Sequence, residues 1–274
     1  MNKIFRLRGK RRLELGDKTL VMGILNFTPD SFSDGGKYFN RDAAMVHAAQ
    51  MIEYGADIID LGAESTRPGA TPISADEELD RLKKVLPSIR KLGVPISIDT
   101  YKPEVAEKVL MRGANIINDV HGLEDTRMID VAKKFNAPVI VMHNEKCSDG
   151  DIISDIKKFF RRTLANCAAK KFNLARIIFD PGIGFGKTTA EDLEIVRRLD
   201  ELKTLDGQEI TLMIGLSRKS FIGKTLGLRI DERDEATGAL CVHAISKGVD
   251  LVRVHNVKMI SRMCLTTDKL IKEA

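Results

Sequence analysis

Short apolar runs along this chain end repeatedly on a residue that can donate, accept or carry charge: Asn26, Glu64, Asp99, Asn118, His143, Asp180, Ser217 and His255, with Asp60, Met142 and Arg253 just upstream of such ends. Taken singly, an Asn, Asp or Ser at the end of a run is as well explained by a strand terminus or a helix cap. Polar groups at nearly every run end are a different matter, because packing alone does not favour burying them and each then needs a partner. Together they describe a ring of donors and acceptors suited to a polar, planar ligand with several hydrogen-bonding edges. Two segments beyond the runs, Asn26–Gly36 and Glu64–Ala70, are long, contain Gly and Pro, and are dense in hydroxyl and charged groups. Loops of that chemistry can close over a substrate.

The elements that must position this ring follow from the hydrophobic pattern. Val- and Ile-rich runs at Thr19–Asn26, Asp57–Ser65, Pro95–Thr100, Asn115–Val120, Pro138–His143, Ile177–Gly182, Thr211–Ser217 and Leu251–Val257 read as strands. Amphipathic segments of helical length lie between them, among them Arg41–Tyr54, Ala75–Leu92, Pro103–Met111, Asp151–Lys171 and Ala190–Leu202. Ser74 ahead of three acidic residues and Pro103 at a first helical position are helix starts, and the glycines at 55, 93 and 113 are helix stops. Regular alternation of near-continuous apolar strands with helices argues for a parallel sheet covered by helices, an α/β fold. About eight repeats without a linker favour a (β/α)8 TIM barrel, residues 1–274 forming one domain, over a doubly wound open sheet. Alternating segments within Ile4–Leu20, around Gly9 and Gly16, predict a short N-terminal β-hairpin that closes the barrel bottom. In such a barrel the loops at the C-terminal strand ends converge, which is where the polar ring falls.

The segments GILNFTPDSFSDGG (Gly23–Gly36) and ESTRPGA (Glu64–Ala70) are followed in order by IDTYKPEVA, INDVHG, FDPGIGFGKT, GLSRKSFIG and RVHNV. On these motifs the sequence resembles the dihydropteroate synthase family over nearly its whole length. The resemblance implies a transferase of folate biosynthesis that condenses 6-hydroxymethyl-7,8-dihydropterin pyrophosphate with p-aminobenzoate, giving 7,8-dihydropteroate and pyrophosphate. It implies pterin contacts at Asp99, Asn118, Val120, Met142, Asp180, Lys219 and Arg253, and pyrophosphate contacts at Asn26, Arg67, Arg253 and His255. It further implies an aminobenzoate pocket of Phe32, Thr66, Pro68, Phe185, Lys219 and Ser220, catalytic roles for Asp34, Arg67 and Lys219, and Asn26 as ligand of a Mg2+ cofactor. The residue types suit these roles. A carboxylate accepts two adjacent pterin N–H groups side by side with charge assistance, and an arginine stacks on a ring face. Magnesium prefers oxygen ligands and keeps waters while binding phosphates, so one protein ligand suffices. Sulfonamides, which resemble p-aminobenzoate, are expected to compete for its pocket. The family implies a homodimer, although the helix expected within Met259–Ala274 reads on its own as a barrel cap.

Three departures from the family wording stand out: Phe27 where Val is commoner, Leu61–Ala63, and Asn256 where Asp is frequent. The last could alter the orientation of His255. Other signals are weaker. Gly186-Lys187-Thr188 and Gly223-Lys224-Thr225 lack the upstream glycine of a phosphate-cradling loop, Pro181 and Arg218 standing there, and Gly182–Gly186 lacks dinucleotide-fingerprint spacing. His47 and His243 fall on helices as structural residues, His121 and His143 are ambiguous, and only His255 is given a functional role. A net charge of +5 with dispersed Lys and Arg speaks against a nucleic-acid partner, and the basic run Arg6–Arg12 reads as a solvated hairpin. Cys147, Cys167, Cys241 and Cys264 make no metal or redox spacing. With no signal-peptide pattern and no apolar membrane-spanning run, a cytoplasmic protein is expected. Two other functions compete: a pterin-binding methyltransferase module, which would not require the STRPG or SRK motifs, and an inactive homologue serving as a binding subunit, which intact Asn26, Asp34, Arg67, Asp99, Asp180, Lys219 and Arg253 disfavour.

Overall fold

The computed structural model describes residues 3–28, 41–65, 70–148 and 150–272. An antiparallel hairpin opens the chain, β1 (Lys3–Arg6) pairing with β2 (Arg12–Leu15). Strands β3 (Leu20–Asn26), β4 (Ile58–Gly62), β5 (Ile96–Asp99), β6 (Ile116–Asp119), β7 (Val139–Met142) and β8 (Ile177–Asp180) then pair in parallel, each with the next. After a small antiparallel pair, β9 (Thr204–Leu205) with β10 (Gln208–Glu209), the sheet resumes with β11 (Met213–Ile214) and β12 (Leu251–Val254), and β12 pairs with both β11 and β3. The ring closes where β8 meets the stretch before β11, through a parallel bridge of Phe179 with Leu212 and the Phe179 N–H donating to the Thr211 carbonyl at 2.9 Å. The expected barrel and hairpin are both present.

Helices α1 (Arg41–Glu53), α2 (Ala75–Ile89), α3 (Pro103–Met111), α4 (Arg127–Phe135) and α5 (Ile152–Ala169) follow β3 to β7. Behind β8 the predicted Ala190–Leu202 helix is divided into α6 (Thr189–Arg197) and α7 (Leu199–Leu202) at Arg198, whose φ of −110° and ψ of 27° are not helical. Helices α8 (Ser220–Leu226), α9 (Asp234–Ser246) and α10 (Val257–Lys272) complete the layer. Local chemistry sets their ends. The Ser74 hydroxyl accepts from the Glu77 N–H at the start of α2, a Thr188–Glu191 capping box opens α6, and Gly93 takes the left-handed φ of 89° past the end of α2. The predicted strand Thr211–Ser217 contracts to Met213–Ile214, and at its N-terminal side the Leu212 N–H is taken by the Asp250 carboxylate at 2.7 Å.

Two apolar clusters divide the core. One fills the layer between strands and helices. The other joins Phe5, Leu7, Leu13 and Leu15 of the hairpin to Leu20, Met22, Ile58, Ile116, Ile140, Ile178, Met213 and Leu251, the strand residues facing into the lower barrel. Side chains alternate along a strand, so the next inward positions, two residues on, include Asp60, Asn118, Met142, Asp180, Gly215 and Arg253. The period that builds the lower plug thus delivers polar groups to the level above it.

Candidate active site

Arg253 lies at the centre of the upper level. Its Nε donates to Asp60 Oδ2 at 2.7 Å and its Nη2 to Asp99 Oδ2 at 2.8 Å, so two carboxylates from adjacent strands hold one guanidinium. Asp60 is fully buried, and the same Oδ2 accepts from Asn118 Nδ2 at 3.1 Å. Burial pushes the Asp99 carboxyl up, to about 7, against the pull of Arg253 and with a further push from the nearby Asp60 charge. Among the described residues Asp60 Oδ1, Asp99 Oδ1 and Ser97 Oγ are buried with no hydrogen-bond partner. Unpaired acceptors at this depth cost roughly 1–3 kcal/mol each, a cost commonly found where a ligand or ordered water completes the set.

Beside this cluster a small pocket is lined by Asn118, Val120, Met142, Asp180, Ile183, Phe185, Gly215, Lys219 and Arg253. Asp180 stands at the end of β8, with Oδ1 accepting the Gly182 N–H at 2.7 Å. Burial raises its pKa, opposed by that N–H and by the charges of Lys219 and Arg253. Gly215 keeps the space beside the other oxygen clear, since a Cβ there would lie 4.0 Å from Asp180 Oδ2. Lys219 reaches in from the turn after β11, its Nζ 4.2 Å from the centre of the Phe185 ring. Desolvation lowers its pKa to about 8, although Asp180 pulls the other way. The pocket therefore offers carboxylate and amide acceptors, one ammonium donor, an apolar wall of Val120 and Met142, and a guanidinium.

The loops that present these groups are themselves braced. Gly182 adopts φ 72° with the His143 carbonyl packed against it so closely that a Cβ would stand 1.9 Å from the oxygen. Asp192 accepts the Gly184 N–H at 2.7 Å, and Lys187 Nζ donates to the carbonyls of His143 at 3.0 Å and Phe185 at 2.9 Å. After the neighbouring strand β11, Arg218 takes the left-handed φ of 57°, unfavourable for a residue with a Cβ, and this turn carries Lys219 into the pocket. Asp234 holds Arg218 with two bonds of 2.7 and 2.8 Å, while Arg233 donates to the carbonyls of Arg218 and Lys219. Asp60 and His143 belong to the expected polar ring but had no role assigned there, while Lys187, Asp192, Arg218, Arg233 and Asp234 were not among the expected site residues.

Of the expected pterin contacts, Asn118, Val120, Met142, Asp180, Lys219 and Arg253 line one pocket together with Phe185, and Asp99 joins them through Arg253. His255 sits at the rim, its Nδ1 2.8 Å from Ser217 Oγ, which also accepts the His255 N–H at 3.1 Å. Asn256 follows it, its Nδ2 donating to Asp234 at 2.9 Å and its Oδ1 accepting from Met259 N–H at the start of α10. The other two departures are core residues, with Phe27, Leu61 and Ala63 fully buried. Asn26 ends β3 opposite Gly62, and Ser220 is exposed at the start of α8. Phe32, Asp34, Thr66, Arg67 and Pro68 lie outside the described residues. His143 is buried with both ring nitrogens unpartnered among the described residues, and desolvation lowers its pKa to about 3. A larger groove between the loops after β6 and β7 includes His121, Asn144, Glu145 and Arg162, but none of the expected site residues. Among the described residues no group of three or more His, Cys, Asp or Glu side chains could hold a metal, and no helix is long and apolar enough to cross a membrane.

A family model described as pterin binding enzyme matches residues 22–255. The dihydropteroate synthase of Bacillus subtilis (strain 168) is 45% identical over 264 residues, 95% of this chain and 92% of that protein. Among solved structures, the dihydropteroate synthase of Clostridium difficile in the presence of pteroic acid is 45% identical with a TM-score of 0.89, covering 94% of this chain and 98% of that one. The Xanthomonas albilineans dihydropteroate synthase with 4-aminobenzoic acid is 34% identical with a TM-score of 0.92, covering 100% of both chains.

Proposed function

We propose a reaction from one premise: this chain belongs to the pterin-binding enzymes and, among them, to the dihydropteroate synthases, transferases of folate biosynthesis. The reaction joins the arylamine nitrogen of p-aminobenzoate to the methylene carbon of 6-hydroxymethyl-7,8-dihydropterin pyrophosphate. An N–C bond forms, the C–O bond breaks, pyrophosphate leaves with the electron pair, and one arylamine proton is released. The observation that carries this reading is the pocket of Asn118, Asp180, Lys219 and Arg253. Its acceptors and its one ammonium complement a 2-amino-4-oxo ring edge.

The division of labour follows from position and chemistry. Asp180 accepts a pair of pterin N–H groups, Lys219 donates to the carbonyl and ring nitrogen, and Asn118 and Asp99 read the remaining ring edge. Val120 and Met142 wall the ring, and Arg253 stacks on its face. Arg253 and His255 at the rim, with Arg67, bind the pyrophosphate. Phe185, beneath the Lys219 ammonium, and Ser220 form one side of the aminobenzoate site, with Phe32, Thr66 and Pro68 supplied by the two loops, where Asp34 and Arg67 act in catalysis. Departure of pyrophosphate leaves cationic character on a carbon that the electron-rich pterin can delocalise. Holding the amine in line with that carbon then supplies much of the rate, and no covalent nucleophile is needed.

The residues at the β3 end fit a weakly held magnesium ion. Asn26 Oδ1 would lie 3.7 Å from a Cβ at Gly62, and that same Cβ would be 3.5 Å from the Asp99 Cβ, so glycine leaves room between two oxygen-bearing side chains. Asn26 is the residue that would hold the ion, water and substrate oxygens completing its shell. When bound, magnesium would neutralise charge on the departing pyrophosphate. We read the protein as a cytoplasmic homodimer.

The test is to mix purified protein with pterin pyrophosphate, p-aminobenzoate and magnesium and to follow dihydropteroate and pyrophosphate together. Equimolar appearance of both is expected. Turnover of neither product would overturn the assignment, and pyrophosphate without dihydropteroate would overturn the transfer step.

A further inference from the structure

Asp60 is not itself part of the pocket lining, yet one of its oxygens holds two residues that are, Asn118 and Arg253. The consequence for Asn118 is a choice of polarity. An amide can present either its oxygen or its nitrogen to a cavity, and a buried amide takes whichever orientation its other partner dictates. Asp60 Oδ2 is already accepting from a guanidinium, so the amide group facing it must be a donor. Asn118 Nδ2 is therefore committed to Asp60 at 3.1 Å, and the amide oxygen is what remains for the ligand. For Arg253 the consequence is position. With Nε on Asp60 and Nη2 on Asp99, the guanidinium plane is fixed at two points.

We propose that Asp60 is a positioning residue that sets the hydrogen-bond polarity of the pterin pocket, obliging Asn118 to accept and holding Arg253 against the ring face. The proposal rests on the pterin reading of this pocket. It makes the pocket select a ligand that presents N–H donors to Asn118 as well as to Asp180, and reject a ring of the same shape with an acceptor there. Such rejection is strong where a buried group would be left unpaired. Full burial of Asp60, with Oδ1 lacking a partner among the described residues, fits a carboxylate kept for what it orients.

The test is a double-mutant cycle of Asp60→Asn and Asn118→Leu in the whole enzyme, read by steady-state kinetics with each substrate varied and by calorimetric unfolding. Asp60→Asn leaves the Asn118 amide free to turn and weakens one anchor of Arg253. Its kcat/KM for pterin pyrophosphate is expected to fall about tenfold to a hundredfold, the range of one or two hydrogen bonds to a charged group, with KM for p-aminobenzoate changing less than about threefold. In the Asn118→Leu background the same substitution should cost at least about fivefold less, because the amide it acts through is gone. Losses that simply multiply, or an equal change for both substrates, overturn the role of Asp60 while leaving the reaction intact. A wild-type enzyme without turnover overturns the underlying reading instead. If Asp60→Asn is too unstable, Asp60→Ser retains one acceptor and serves in its place; failure of both to fold assigns Asp60 to the fold and overturns the proposal.

Discussion

Met22, Ile58, Ile116, Ile140, Ile178, Met213 and Leu251 fill the lower barrel, and two residues further along the same strands stand Ile24, Asp60, Asn118, Met142, Asp180, Gly215 and Arg253. The lower set is entirely apolar and is sealed by Phe5, Leu7, Leu13 and Leu15 of the hairpin. The upper set buries carboxylates and a guanidinium, and among the described residues Asp60 and the neighbouring Asp99 each keep an acceptor without a partner. Burying apolar area stabilises the fold at roughly 25 cal/mol per Å2, whereas buried ion pairs are near neutral or unfavourable against packed hydrocarbon. One strand set thus keeps stability and chemistry on separate levels, about 7 Å apart at two residues of strand rise. Substitutions at the two levels should accordingly fail in different ways.

The sharpest contrast is between Asp180→Asn above and Ile140→Ala below. In Asp180→Asn the side-chain oxygen still accepts from Gly182 N–H, but an amide N–H2 now opposes ligand donors. With two charge-assisted bonds at about 1.5–3 kcal/mol each at stake, kcat/KM for the pterin substrate should fall by about 10²–10⁴-fold with little loss of stability. Ile140→Ala should do the reverse, costing about 2–5 kcal/mol in denaturant unfolding and leaving KM for both substrates unchanged. Equal effects on activity and stability in either variant would break the division between levels.

A smaller effect separates the levels by pH. The Lys219 pKa, lowered to about 8, means that the ammonium donor is lost as pH rises through that value. The free-enzyme profile of kcat/KM for the pterin substrate should then fall up to tenfold per pH unit above about 8. Stability should move the opposite way. Between about 8 and the ordinary lysine value the unfolded chain binds the Lys219 proton and the folded protein does not, so unfolding free energy rises with pH. Lys187, also lowered to about 8 by burial, adds in the same direction. Lys219→Arg should remove the alkaline limb of the profile; a limb that persists would assign it to another group.

The strand order, the hairpin and the ring of strand-end polar residues were legible because each depends on local pattern: a period of two, a Gly-centred turn, a polar residue closing an apolar run. Asp206-Gly207, the two-residue turn of the β9–β10 hairpin, is an equally local signal of the same kind. Asp60 was legible as one of that polar ring but not for the role it plays. It sits within an apolar strand, and its partner Arg253 lies 193 positions away, so its meaning exists only once β4 and β12 share a barrel. The same holds for Arg218, whose left-handed turn is stabilised by Asp234 and by Arg233 from the start of α9. The basic run Arg6–Arg12 is the expected hairpin with most of its charges exposed, but its composition carried no sign that Arg8 and Arg11 also donate to backbone carbonyls 102 and 79–82 positions distant.

Those two arginines define the least costly prediction. Barrel helices run down from the polar rim, so their carbonyl ends, the negative ends of their dipoles, surround the barrel bottom. Arg8 donates to the Leu110 carbonyl at 2.8 Å, and Arg11 donates to the carbonyls of Arg90 at 2.8 Å and Gly93 at 3.1 Å and to Asn115 Oδ1 at 3.3 Å. The hairpin is thereby tied to the ends of α2 and α3 as well as to the apolar plug. Arg11→Met keeps the aliphatic stem and removes these bonds, most of them solvent-exposed, so the expected loss is only about 1 kcal/mol in denaturant unfolding. The loss should shrink little at high salt if hydrogen bonds to carbonyls dominate, and largely vanish if it is a long-range charge effect. Activity, set at the opposite end of the barrel, should be unchanged for both substrates. A fall in kcat/KM with Arg11→Met would mean that the hairpin and the rim are coupled, and the separation of the two levels would fail at its most distant point.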